Sequence, residues 1–190
     1  MKRIAIFASG TGTNAKKILE YFQERDDIII GCILSNNNTA GVLNIAQSFG
    51  IETKTFNRQS FYQTEEVLDY LKSKQIDFII LAGFLWLIPH SILNAFSGKI
   101  LNIHPALLPS FGGKGMYGMN VHNAVKAANS KETGITIHLV DEHYDNGDII
   151  FQEKCIIEEH DTPEDIAHKI QYLEHKYYPV VIDRFIKNYT

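Results

Sequence analysis

A chain of 190 residues, 45% of them hydrophobic, can bury a substantial core without help from a metal or a disulfide. Its net charge of −4, with Lys and Arg scattered rather than clustered, excludes nucleic acid or an anionic membrane as the main binding partner, and no apolar run reaches membrane-spanning length. Cys32 and Cys155 lie far apart in apolar runs without metal-ligand spacing, so buried thiols are expected, in a cytoplasmic protein that handles small molecules.

The apolar run 2–8 reads as a first strand and passes through Ser9-Gly10-Thr11-Gly12-Thr13-Asn14-Ala15 into a helix over 14–25. Backbone N–H groups and the helix dipole converge at such a turn and favour an anion there, which predicts a phosphate site in this loop. Gly10, Gly12 and Ala15 also satisfy the dinucleotide fingerprint. The second strand, 28–35, however, ends in Ser35-Asn36-Asn37-Asn38 with no acid to hold a ribose diol, so a single phosphate is favoured over NAD. A tight turn with no ligand is the remaining alternative.

Further along, helices are expected over 40–49, 60–74 and 89–96, alternating with strands over 52–56, 77–82 and 99–103. Runs such as Phe78-Ile79-Ile80-Leu81 are apolar on both faces, as buried parallel strands require. Residues 104–120 have no period, and an aperiodic stretch of that length inside a compact domain is usually functional. A helix over 120–129 follows, then strands over 133–140 and 149–157 joined by a polar turn at Asp145-Asn146-Gly147-Asp148. The final helix, 163–187, carries Thr162 as cap, Pro163 at its first position and Asp165 to complete a capping box. The pattern predicts an α/β, Rossmann-like, mostly parallel seven-stranded sheet with helices on both faces and an antiparallel strand near the C-terminus, in a single domain over 1–190.

Asn102 and His104 fall on one face of an extended chain, at the carboxyl end of a central strand where open α/β sheets bind ligands. Asp145, in a polar turn at another strand end, is a carboxylate able to set a histidine's tautomer and favour its charged form. Taken alone, His104 fits a hydrogen-bonded histidine at a strand end, and Asp145-Asn146-Gly147 fits ordinary hairpin chemistry.

Leu81-Ala82-Gly83-Phe84, then Asn102-Ile103-His104-Pro105 with Leu107-Leu108-Pro109, then Asp145 resemble in order and spacing the motifs of the folate-dependent formyltransferases, and the resemblance spans nearly the whole chain. It implies Asn102, His104 and Asp145 as the catalytic set, 10-formyltetrahydrofolate as co-substrate and no metal. An amine attacking the formyl carbon creates an oxyanion that a protonated imidazole and an amide stabilise, while the aspartate orients the histidine and accepts a proton. The Ser9–Asn14 loop and Leu173-Glu174-His175 ahead of Tyr178-Pro179 resemble the branch of purine synthesis whose acceptor is glycinamide ribonucleotide. By that resemblance Gly12, Thr13 and Asn14 hold the phosphate and Glu174 meets the ribose; a solvated helix glutamate is the plainer alternative. Leu85, Trp86, Leu87 and Ile88, with Asn102 and the turn Asp141, Glu142, His143, Tyr144 and Asp145, become the folate site. The N-terminal part is then expected to bind the nucleotide and the C-terminal part to bind folate and catalyse. Its partners are two small molecules, with neither nucleic acid nor membrane, in a monomer or homodimer.

The sequence departs from the family between Pro109 and His122, where Ser-Phe-Gly-Gly-Lys-Gly-Met-Tyr-Gly-Met-Asn-Val is longer and richer in glycine; a lid over 112–118 carrying Lys114 to the phosphate or the folate tail is expected. Asp148 replaces a common proline, Thr64 replaces a basic residue sometimes found, and Leu108-Pro109 is a candidate cis bond. The transfer-RNA-formylating and hydrolase branches are disfavoured because the chain begins at its first strand and ends with its last helix. A nucleotide-binding module with no chemistry is the rival from another class, and it requires His104 and Asp145 to stand apart.

Overall fold

The computed structural model describes residues 1–189. Seven strands form one sheet: β1 (Lys2–Phe7), β2 (Ile28–Ser35), β3 (Thr53–Thr55), β4 (Phe78–Leu81), β5 (Ile100–His104), β6 (Glu132–Leu139) and β7 (Ile149–Ile156). Their order is β3-β2-β1-β4-β5-β6-β7. The pairs β2/β3, β1/β2, β1/β4 and β4/β5 are parallel, whereas β6 runs antiparallel to both β5 and β7. This is the expected α/β sheet with a reversed strand near its C-terminal edge.

The central strands are buried on both faces, and their alternate side chains feed two cores. Ile4, Ile6, Phe78, Ile80 and Leu101 pack on one face against α1 (Thr13–Phe22), α2 (Gly41–Ser48), α6 (Met119–Ala127) and α7 (Pro163–Asn188) through residues such as Ile18, Val42, Val121 and Ile170. Ala5, Phe7, Ile79 and Leu81 face the other way, toward α3 (Arg58–Tyr62), α4 (Glu66–Ser73) and α5 (His90–Ala95), where Phe61, Leu68 and Ile92 close the second core. Full burial of each large side chain contributes roughly 1.5–3 kcal/mol, so the strand ends around the site are held by core on both sides. None of the helices among the described residues is long and apolar enough to cross a membrane.

Two local expectations need correction. The helix foreseen over 60–74 is two helices, α3 and α4, because Thr64 bonds the backbone in place of continuing the ladder. Its hydroxyl donates to the Ser60 carbonyl at 3.1 Å and accepts the Glu66 N–H at 3.3 Å, a competition that threonine offers and most helix formers do not. The turn foreseen at 145–148 is part of a longer connection over 140–148, closed where the Leu139 N–H donates to the Asp148 carbonyl at 2.9 Å.

The carboxyl end of β4 is tied to the first half of β5 from behind. The fully buried Tyr178 of α7 donates its hydroxyl to the Leu81 carbonyl at 2.8 Å and lies 3.3 Å from the Leu101 carbonyl. α7 itself starts as its sequence dictates, with the Thr162/Asp165 capping box formed and Pro163 in the first turn.

Candidate active site

A cleft of about 960 Å³ opens across the carboxyl ends of β1, β4 and β5, at the place where open α/β sheets receive ligands. His104 closes β5 and is 3% exposed. Its Nδ1 is 3.4 Å from Asp145 Oδ2, and its Nε2 donates to the Phe111 carbonyl at 2.8 Å. The separation that a module without chemistry requires is therefore not found. Asp145 is held in turn by the Gly113 N–H at 2.9 Å.

Phe111 and Asp145, which contact the two ring nitrogens, both sit in the left-handed region, at φ 56° and φ 54°. Aspartate tolerates that region, but phenylalanine is strained there, and such strain collects at functional sites. The chain passes so close to Asp145 that a Cβ on Gly112 would lie 2.6 Å from Leu108 Cδ2 and 3.2 Å from Asp145 Cβ. A side chain at 112 would therefore displace the Leu108 methyl and crowd Asp145, and the Gly113 N–H ties the start of the 112–118 segment to the site. Lys114 lines the cleft beyond it.

The His-Pro segment is latched to β6 by Thr136, a wholly buried side chain. Its hydroxyl donates to the Ala106 carbonyl at 2.7 Å and accepts the Leu108 N–H at 3.0 Å. The Gln152 amide adds bonds to Thr136 Oγ1 at 2.9 Å and to the Leu108 carbonyl at 3.0 Å. The Leu108–Pro109 peptide is cis, as anticipated.

Asn102 lies two residues before His104 on the same face, and its Nδ2 is 3.1 Å from Nε2 of His138. The sequence reading passed over His138. Its signal was the alternation Ile135-Thr136-Ile137-His138 on β6, which puts two buried polar groups on the sheet face that Asn102 and His104 share, with Asn102 opposite His138 and His104 opposite Thr136.

Burial is the largest influence on all three histidines here. It pulls His104 below the ordinary histidine value against the opposing effects of Asp145 and of the Phe111 carbonyl, and nearby His138 adds to the lowering. His122 on α6 is lowered by burial and then by His104, and its Nδ1 has no partner. His138 is lowered by burial despite the Leu139 carbonyl, Asp145 and Asp141. The raising effect of Asp145 on His104 thus does not outweigh the desolvation of its charged form.

The far end of the cleft is built by α1 and α7. Gly12 caps α1 at φ 81°, where a Cβ would lie 2.7 Å from Val42 Cβ, so the turn accepts only glycine. Helical bonding begins with the Lys16 N–H on the Gly12 carbonyl at 2.8 Å, which leaves the preceding N–H groups of the first turn unbonded within the helix. Thr11 and Asn14 line the cleft, whereas Gly12 and Thr13 do not. Asn14 Nδ2 donates to Glu174 Oε2 at 2.8 Å, and Asn14 Oδ1 is buried without a partner. Burial pushes the Glu174 carboxyl up to about 7, partly offset by that hydrogen bond. Glu174 is thus a cleft residue rather than a solvated helix glutamate.

Leu85, Trp86, Leu87 and Ile88 form one wall. Trp86 is wedged among Phe56, Phe61 and Phe84, with the Arg58 guanidinium 4.7 Å over its ring. Of the 141–145 loop, His143, Tyr144 and Asp145 line the cleft. Asp141 instead braces the loop, accepting the His143 N–H and the Asn146 amide at 2.8 Å each, and Glu142 faces His90 at 3.9 Å over an adjoining shallow cleft that Thr64 also lines.

An open α/β sheet with an Asn, His and Asp grouped at its carboxyl edge is the arrangement that the formyl transferase motifs had implied. Residues 2–182 match the Formyl transferase family, and the chain belongs to it. It is similar to the Bacillus subtilis phosphoribosylglycinamide formyltransferase, 38% identical over 192 residues that cover 98% of this chain and 95% of the relative. It is also 39% identical over 189 residues to the chloroplastic phosphoribosylglycinamide formyltransferase of Arabidopsis thaliana, which is 95% of this chain but 64% of that relative, so it spans just under two thirds of the plant protein. A crystal structure of phosphoribosylglycinamide formyltransferase from Bacillus Halodurans superposes with a TM-score of 0.88 at 38% identity, covering 98% of this chain and 96% of that one.

Proposed function

We propose that the protein transfers the formyl group of 10-formyltetrahydrofolate to the amine of glycinamide ribonucleotide, giving formylglycinamide ribonucleotide and tetrahydrofolate in purine synthesis. The observation that carries this reading is the His104–Asp145 pair, 3.4 Å apart beside Asn102, at one end of a cleft whose other end is a helix start with Asn14 and Glu174. The phosphate would sit on the first-turn N–H groups of α1 at Gly12, Thr13 and Asn14, and the ribose hydroxyls on Glu174. The acceptor end is therefore assembled from both ends of the chain, not from the N-terminal part alone.

The pterin would lie against Leu85–Ile88 and the 141–145 loop, with its formyl carbon near Asn102 and His104. The amine lone pair attacks that carbon, and the carbonyl electrons move onto oxygen, where the Asn102 amide N–H and the His104 imidazole N–H are the available donors. Asp145 takes the surplus proton of the amine directly or through a water, the bond from carbon to N10 breaks, and N10 ends protonated. The imidazole proton on Nε2 is engaged by the Phe111 carbonyl, so the developing oxyanion shares or displaces that carbonyl.

The test offers purified protein formyl-folate with glycinamide ribonucleotide, with an amino sugar and with water alone, and follows tetrahydrofolate release. Release that depends on glycinamide ribonucleotide is expected. Equal release with water alone would mean hydrolysis and would overturn the proposal.

A further inference from the structure

The proposed reaction assigns no task to His138, although this side chain is only 2% exposed and stands directly across from Asn102 in the β5/β6 pairing. Its ring is anchored at Nδ1, which is 2.7 Å from the Leu139 carbonyl. A carbonyl oxygen only accepts, so Nδ1 carries the proton, and in the neutral ring Nε2 is then a lone-pair acceptor. That acceptor is 3.1 Å from Asn102 Nδ2. The charged and titratable groups facing the ring are Asp145, whose Oδ1 is 3.8 Å from Nε2, together with Asp141 and His104; burial outweighs the two carboxylates and keeps the imidazole neutral near pH 7.

An amide beside a buried lone-pair acceptor has one favoured orientation. With Nδ2 on His138, the second N–H of the amide is left for the cleft. A half turn would set Oδ1 against the Nε2 lone pair and leave a buried acceptor unpaired. We infer that His138 is a positioning residue for formyl transfer, whose Nε2 locks the Asn102 amide so that an N–H faces the reacting carbonyl oxygen. The inference rests on the proposed formyl transfer and deepens it, because oxyanion stabilisation depends on which way that donor points.

His138→Leu removes the acceptor at similar volume, and His138→Gln returns an amide oxygen close to the former Nε2. Turnover is expected to fall about 10- to 100-fold in His138→Leu and to recover most of that loss in His138→Gln, with both KM values within about 3-fold of the wild type. In an Asn102→Ala background, His138→Leu should add no further loss. An undiminished loss in that background, or equal losses in the Leu and Gln variants, overturns the proposal.

A second readout needs no turnover and no folding of the Leu variant. Imidazole nitrogen–proton correlation NMR, assigned with His138→Gln, should place the His138 proton on Nδ1 and show its Nε2 signal shifting in Asn102→Ala. A proton on Nε2 overturns the amide lock whether or not formyl groups are transferred. Nδ1 protonation with an Asn102-dependent shift, in a protein that transfers no formyl group, keeps the lock and removes the reaction it serves.

Discussion

At the α1 end of the cleft the polar groups come from one strand-to-helix turn and one helical glutamate that meets it. At the His104 end they come from β5, β6, the segment after His104 and the 140–148 connection, and two of the contacts are backbone atoms, the Phe111 carbonyl and the Gly113 N–H. The first end rests on a single side-chain contact, between Asn14 of the α1 turn and Glu174 of α7. The second is a network in which every group positions another. Damage at the α1 end should therefore appear in binding rather than in turnover, and damage at the His104 end in chemistry and, for its supports, in stability.

The largest effect belongs to the network. His104→Ala or Asp145→Ala should lower kcat at least ~100-fold, seen in steady-state assays of tetrahydrofolate release. Wild-type turnover in either variant would remove the contrast between the two ends. Thr136→Val comes next. It leaves the Leu108 N–H, the Ala106 carbonyl and the Gln152 amide without their shared buried partner, and should cost about 1–3 kcal/mol in urea unfolding together with a fall in kcat. An unchanged unfolding midpoint would show that the latch does not hold the segment.

At the other end, Glu174→Gln should raise the KM for glycinamide ribonucleotide about 10-fold, near 1.4 kcal/mol, with kcat little changed. A matching fall in kcat would merge the two ends into one. The smallest effect is on the pH dependence of stability. Burial holds His104, His122, His138 and His175 below the ordinary histidine value, so as pH falls through about 6.5 the unfolded chain binds protons that the folded chain refuses, and stability is lost toward acid. Glu174 has the opposite sign: its folded value of about 7 lies above the ordinary 4.5, so the stability it brings is complete below 4.5 and lost as pH rises through about 7. Between pH 5 and 7 the two trends oppose one another, and Glu174→Gln should make the loss toward acid steeper. A shallower profile in that variant would reverse the assignment.

The same contrast explains what the sequence made legible. The Gly12–Asn14 turn, the α7 capping box and the doubly apolar strands are written in residues close to one another, and Asn102 and His104 share a face by strand period alone. Asp145 was found through its turn and its family motif. His138 escaped because its partner Asn102 is 36 residues away, in a register that no local pattern specifies. The Phe111 carbonyl and the Gly113 N–H escaped because backbone groups belong to every residue. The break at Thr64 escaped because helical period and side-chain competition for the backbone are read from the same letters, and here the competition wins.

The division of labour along the cleft is tested most directly by titrating glycinamide ribonucleotide into Asp145→Ala calorimetrically, beside its turnover. The account predicts a Kd within about 3-fold of the wild type while turnover falls at least ~100-fold. A Kd weakened in proportion to the lost turnover would contradict it.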